Sequence, residues 1–179
     1  SRADIVELIH RIPPDVLLVM DEAYIEFLDE PIDLVPLIRR GDMPNLILFR
    51  TFSKIYGLAG LRLGYGIGHP DTISTLEKIR QPFNVNSVAQ AAATAALHDD
   101  DHIRNTARNN RAGLDFYETA FRRLDIEFVP SHANFVLAKV GNGLKIFESL
   151  QARGIITRPM GGYQLPEWIR ISVGTDREN

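Results

Sequence analysis

The spacing of apolar positions changes along the chain, and each change marks a kind of element. Over residues 1–12, Ile5, Leu8 and Ile9 fall on one face of a helix already in progress, which Pro13 and Pro14 end. Residues 16–20 (Val-Leu-Leu-Val-Met) then form a continuous apolar run of the kind found in strands buried on both faces. A polar, proline-rich connection carrying Leu34, Leu37 and Ile38 leads to a second apolar strand at 46–49, and a third follows at 63–67. The segment from Thr51 to Arg62 is barely long enough for a parallel crossover, so the third strand is expected to run antiparallel to the second. Helices are predicted over 71–80 and 87–98, the latter with Ser87 as its N-cap.

The longest periodic segment covers 102–124. Ile103, Ala107, Leu114, Tyr117, Phe121 and Leu124 recur at three- and four-residue steps or their sums, which predicts a long amphipathic helix. Beyond it, short strands at 126–129, 134–139, 155–158 and 168–173 surround one helix over 144–153, which Gly154 ends as the first residue past its cap. The expected organisation is an open α/β domain over 1–98 followed by a small α+β domain over 99–179.

Composition narrows the function classes. At 45% hydrophobic and 24% charged, the chain can bury an ordinary globular core. Its net charge of −3 and dispersed Lys and Arg residues give no nucleic-acid footprint and no polybasic membrane patch. The 16–20 run is far too short to span a bilayer. The absence of cysteine excludes disulfides, thiolate nucleophiles and Cys-ligated metals, and a cytoplasmic location is expected. The opening helix starts without a cap, and residues 175–179 read as a cap and helix formers with no helix after them. The chain is therefore expected to be part of a longer one.

Ligands of open α/β sheets bind beyond the carboxyl ends of the strands, and two reactive groups fall there. Asp21 follows the 16–20 run, with Tyr24 three residues on; Thr51, Ser53 and Lys54 follow the 46–49 strand. Taken singly, an Asp after a strand is a turn or cap residue, and a Ser-Lys pair is solvated surface. Together they offer an amine able to form a Schiff base, a carboxylate able to hold a pyridinium nitrogen, and hydroxyls able to bind phosphate. Arg62 adds a cation for that phosphate. In the last strand Ile169, Ile171 and Val173 alternate with Arg170 and Ser172, so Arg170 leaves the apolar face.

The segment Arg50-Thr-Phe-Ser-Lys-Ile-Tyr-Gly-Leu-Ala-Gly-Leu-Arg-Leu-Gly-Tyr65 resembles the cofactor-lysine signature of fold type I aminotransferases, and Asp21-Glu-Ala-Tyr24 resembles their cofactor-nitrogen motif. Within that superfamily the chain is most similar to the histidinol-phosphate aminotransferase family. Supporting segments are Gln81-Pro-Phe-Asn-Val-Asn-Ser87, Ala133-Asn-Phe-Val136, Gly154-Ile-Ile-Thr-Arg158 and Ile169-Arg-Ile-Ser-Val-Gly174.

The resemblance implies the C-terminal half of an enzyme dependent on pyridoxal 5'-phosphate (PLP): part of the large cofactor-binding α/β domain, then the small α+β domain. Lys54 would carry the cofactor and later move the proton at the substrate's Cα, a role that needs a neutral amine. Asp21 would keep the pyridine nitrogen protonated, and Tyr24 would donate to the cofactor's phenolic oxygen. Thr51, Ser53 and Arg62 would hold its phosphate, while Arg158 and Arg170 would clamp the substrate's anion. The implied reaction is transamination of histidinol phosphate with 2-oxoglutarate in histidine biosynthesis, by a homodimer. Aromatic amino-acid transamination and phosphothreonine decarboxylation are alternatives on the same scaffold. A non-catalytic binding or regulatory protein of this shape is a third, against which the presence of Asp21, Lys54 and Arg62 together argues. The family's N-terminal half supplies further cofactor contacts, so this chain alone is expected to be inactive.

Other motifs carry less. His98-Asp-Asp-Asp-His102 reads as a helix junction in which the carboxylates cap the second helix, and no metal site is assigned. Gly64, Gly66 and Gly68 lack the spacing of a dinucleotide fingerprint and mark a strand under close backbone approach. Gly161 and Gly162 read as a mobile loop beside the arginines. His10, His69 and His132 have no visible partner in the sequence.

Overall fold

In the computed structural model, which describes residues 2–179, the three early apolar runs pair into one sheet. β1 (Leu18–Asp21) lies parallel to β2 (Leu46–Thr51), and β3 (Gly64–Gly68) lies antiparallel along the other side of β2, as the short 51–62 segment requires. The proline-rich connection is more than a loop. It holds the helix α2 (Val35–Arg40), with Pro36 in its first turn and Gly41 closing it at φ 77°. Together with α1 (Arg2–Arg11) this helix covers one face of the sheet: Ile9, Leu34 and Ile38 pack with Leu46 and Leu48.

The expectation of burial on both faces of the first strand is not met. Burial alternates along β1, and Val19 and Phe49 are each 44% exposed. They lie on the face away from the helical cluster, so only the inward residues Leu18 and Met20 join its core. Leu8 is also exposed, because Ile5 and Ile9 already fill the inward stripe of α1.

α3 (Pro70–Glu77) and α4 (Ser87–Ala96) follow. Asn86, not Ser87, caps α4. Its backbone is extended and its side chain accepts from the Ala89 amide at 2.8 Å, whereas Ser87 is already helical. His69, for which the sequence offers no partner, plays the same part for α3 through the Asp71 amide.

The first compact unit ends at Asp100 and the second is Asp101–Asn179. α5 (Asp100–Arg123) lays Leu114 and Phe121 against an antiparallel sheet of order β4-β5-β7-β6: β4 (Phe128–Val129), β5 (Phe135–Lys139), β7 (Trp168–Ser172) and β6 (Arg158–Pro159). α6 (Gly143–Gln151) adds Ile146 and Leu150 to that core. Gly154, at φ 80°, closes α6 as expected: its amide bonds to Gln151 and that of Ile155 to Leu150. The Gly161-Gly162 segment, expected as a loop, forms a 3₁₀ turn over Gly161–Tyr163.

Candidate active site

Parallel pairing of β1 with β2 sets Asp21 opposite Phe49, so the carboxyl ends of both strands open at one place. Asp21, Thr51, Ser53, Lys54 and Arg62 all line a single open cleft of about 370 Å³ there. Tyr24 joins them through Lys54, whose Nζ lies 5.2 Å from the centroid of the tyrosine ring. The structure thus gathers all six residues singled out in the first unit.

The turn after β2 is built to hold this arrangement. Phe52 and Ile55, on either side of the Ser53-Lys54 pair, are buried, and the Phe52 ring packs on Tyr56 and Tyr65. The Ser53 amide donates to Thr51 Oγ1 at 3.0 Å, and the Gly57 amide to the Lys54 carbonyl at 2.9 Å with Gly57 at φ 70°. Arg62 ends a 3₁₀ turn at φ 55° and donates from Nη1 to the Ala59 carbonyl at 2.7 Å. A left-handed conformation costs a non-glycine residue on the order of 1 kcal/mol or more, and such strain collects at functional sites. Asp21 also does what an ordinary turn aspartate does, accepting from the Ala23 amide at 3.1 Å through Oδ1.

Two residues missing from the sequence reading tie these strand ends together. Arg50 Nε donates to Glu22 Oε2 at 2.8 Å, with the side chains only 21% and 7% exposed. Burial works against the arginine's charge, but the hydrogen bond and charge of Glu22, aided by Tyr65, outweigh it and hold Arg50 above its usual range. Glu26 and Tyr56 sit beside this pair. Burial lifts the Glu26 carboxyl above the usual carboxylate value against the opposing pull of its hydrogen bonds and Arg50. Burial, then the charge of Glu26, push Tyr56 up to about 12. A signal for Arg50 was present: it continues the inward alternation Leu46, Leu48, Arg50, where an arginine needs an anionic partner.

Arg158 and Arg170 belong to the second unit. They are direct cross-strand partners in the β6–β7 pair, so both guanidinium groups leave the same face of the sheet. The opposite face carries Val136, Ala138 and Ile169 in the core, which bears out the alternation read for Arg170. The Arg170 guanidinium stands 4.9 Å over the Phe135 ring, and its Nε is buried without a hydrogen-bond partner among the described residues. Like charges directly opposite one another destabilise a sheet, and an anion between them reverses the sign of that interaction.

The chain matches the family model for aminotransferase class I and II over residues 1–179. It is 51% identical over its whole length to the histidinol-phosphate aminotransferase of Akkermansia muciniphila, covering 49% of that protein. It is 51% identical to histidinol-phosphate aminotransferase 2 of Ralstonia nicotianae over 94% of the chain and 46% of that protein. Its fold is similar to the crystal structure of histidinol-phosphate aminotransferase from Sinorhizobium meliloti in complex with pyridoxal-5'-phosphate: TM-score 0.86, 34% identity, 98% of this chain and 49% of that one. The chain thus spans about half the length of the curated relatives it matches.

Proposed function

We propose, from the premise that the chain belongs to the aminotransferase class I and II family, that it is part of a PLP-dependent transaminase acting on histidinol phosphate. In this reading residues 1–98 belong to the large cofactor-binding domain and residues 99–179 form the small domain. The observation that carries it is the convergence of one amine, one carboxylate, two hydroxyls and the Arg62 guanidinium on a single cleft, beside a second arginine, Arg50, that Glu22 already holds. That donor set fits PLP group for group: aldehyde, ring nitrogen and phosphate.

When bound, the cofactor supplies a protonated ring that withdraws the electrons left at the substrate's Cα. The chain's own residues do the rest. Lys54 Nζ would hold the cofactor's aldehyde carbon, and as a free amine it would be the group that takes and returns the substrate's Cα proton. The Asp21 carboxylate pairs with the ring N–H and keeps that proton in place. Tyr24, next to Lys54 Nζ, donates its hydroxyl proton to the phenolic oxygen. Thr51 and Ser53 hydroxyls with the Arg62 guanidinium bind the phosphate, and the pinned turn between them keeps the three at fixed spacing.

Arg158 and Arg170 bind the substrate's anionic groups: the phosphate of histidinol phosphate in one half-reaction and a carboxylate of glutamate or 2-oxoglutarate in the other. The names of the relatives at about half identity support this choice of substrate. Histidine biosynthesis by a cytoplasmic homodimer is the setting the reading implies. The test is a substrate panel on the full-length enzyme. Histidinol phosphate should give the highest kcat/KM with 2-oxoglutarate as acceptor; a higher value for an aromatic amino acid, or release of carbon dioxide from phosphothreonine, would replace the assignment.

A further inference from the structure

We infer that Phe135 is a positioning residue for Arg170, holding its guanidinium away from Arg158 so that an anion can enter between them. The inference rests on the reading of the two arginines as an anion clamp and adds to it a residue that acts through Arg170.

The sheet order places the parts. β7 lies between β5 and β6, so Arg170 has Arg158 directly across on one side and β5 on the other. On β5, Leu137 stands opposite Arg170 and Phe135 opposite Ser172, which makes Phe135 the diagonal neighbour on the same face. A diagonal neighbour is within reach of an aromatic side chain, and the guanidinium carbon lies 4.9 Å from the ring centroid. Two forces therefore act on Arg170 in one direction. Repulsion from Arg158 pushes it toward β5, and the negative face of the Phe135 ring draws it there.

The consequence is a preorganised gap. With its guanidinium carbon 4.9 Å over an aromatic ring, the side chain has lost freedom before an anion arrives, and less ordering cost is left for binding. Its N–H edge stays available for planar, two-pronged contact with an oxyanion. Nε is buried without a partner among the described residues, which marks the guanidinium as enclosed at its stem. Leucine in place of Phe135 would fill similar space without a quadrupole.

The experiment uses the full-length PLP-loaded enzyme and succinate, a dicarboxylate that cannot transaminate, as the probe of the clamp. Succinate binding is measured by calorimetry for the wild type, Phe135→Leu, Phe135→Tyr and Arg170→Lys, with circular dichroism to verify that each is folded and Phe135→Met in reserve if the leucine variant is not. The expected pattern is succinate binding weakened about five-fold or more in Phe135→Leu, within the range of a desolvated cation–π contact, near-wild-type binding in Phe135→Tyr, and a larger loss in Arg170→Lys. A loss in Arg170→Lys with wild-type binding in Phe135→Leu would overturn the inference and leave the clamp standing. Equal losses in the leucine and tyrosine variants would overturn it too, since shape alone would then be at stake. Wild-type binding in Arg170→Lys would overturn the clamp and the inference together.

Discussion

Breaking the Glu22–Arg50 pair should cost more from one side than from the other. Glu22 keeps 7% of its side-chain surface in water and Arg50 21%, and the two meet at 2.8 Å. Replacing Arg50 with methionine leaves a carboxylate almost without solvent, the situation in which buried pairs cost about 3–5 kcal/mol when one partner is removed. Replacing Glu22 with glutamine leaves the more exposed partner, still hydrated at one end, with a neutral oxygen to donate to. That change should cost the difference between a charged and a neutral hydrogen bond, about 1–2 kcal/mol. Removing both as Glu22→Met with Arg50→Met should recover most of the loss, because no orphaned charge remains. Urea unfolding of the full-length protein at one fixed concentration, followed by far-ultraviolet circular dichroism, gives the ranking. If Glu22→Gln costs as much as Arg50→Met, or the double variant is as weak as the worse single, the asymmetry drawn from burial is wrong.

Four further outcomes follow from the site. Borohydride reduction of the PLP-loaded enzyme should fix the label on Lys54, and peptide mapping to any other lysine would remove its assignment. Asp21→Asn should bind PLP and lose most of its turnover; near-normal kcat would leave the carboxylate only its turn bond to Ala23. Loss of either Arg158 or Arg170 removes a charge-assisted contact of about 1.5–3 kcal/mol, which is roughly one to two powers of ten in kcat/KM for histidinol phosphate and much less for unphosphorylated histidinol; equal losses for both would refute the clamp. Glu26 and Tyr56 give the pH dependence. Each is raised in the fold, so the stability it contributes is present below its unfolded value, 4.5 or 10.0, and is lost as pH rises through the folded one. At neutral pH Glu26→Gln should therefore be more stable than the wild type, with no difference in acid below 4.5. Tyr56→Phe should remove a loss of stability between pH 10.0 and about 12, read by urea midpoints across that window.

Apart from the cleft residues, which were read from two strand ends together, what was legible in the sequence lay on a single element or in a single connection. Gly154 announces the end of α6 because a left-handed residue past a helix end needs no partner from elsewhere. The antiparallel β3 follows from the length of one segment, and the outward turn of Arg170 from alternation along one strand. The helix α2 was missed although Pro36, the Leu34–Leu37–Ile38 spacing and Gly41 all marked it, because six residues are too few for a periodicity to stand out from a loop. The face of β1 expected to be buried is uncovered for a different reason. An apolar run records what a strand can bury: that outer face is covered at Ile47 on the central strand, near Ile73 of α3, but not at Val19 on the edge strand β1.

The residues that no reading of one element could find are those defined by pairing. Glu22 and Arg50 are 28 positions apart, and only the parallel register of β1 on β2 brings them to 2.8 Å. Arg158 and Arg170 were each legible as cations, yet that they face one another depends on the β6–β7 register, and the place of Phe135 on β5 depends on a second pairing. A one-residue slip in either ladder would send these side chains to opposite faces. The registers are themselves fixed by the apolar residues between the charged ones: Leu46 and Leu48 in the first sheet, Val136, Ala138 and Ile169 in the second. Core packing thus determines which charges meet. A core substitution that shifted the β5–β7 register, such as a charged residue at Ala138, should abolish succinate binding even though every residue of the clamp is intact, whereas Ala138→Ser, which keeps the packing, should leave binding near wild type. Succinate calorimetry on both variants checks this, and undiminished binding in the charged variant would show that the clamp does not depend on the ladder beneath it.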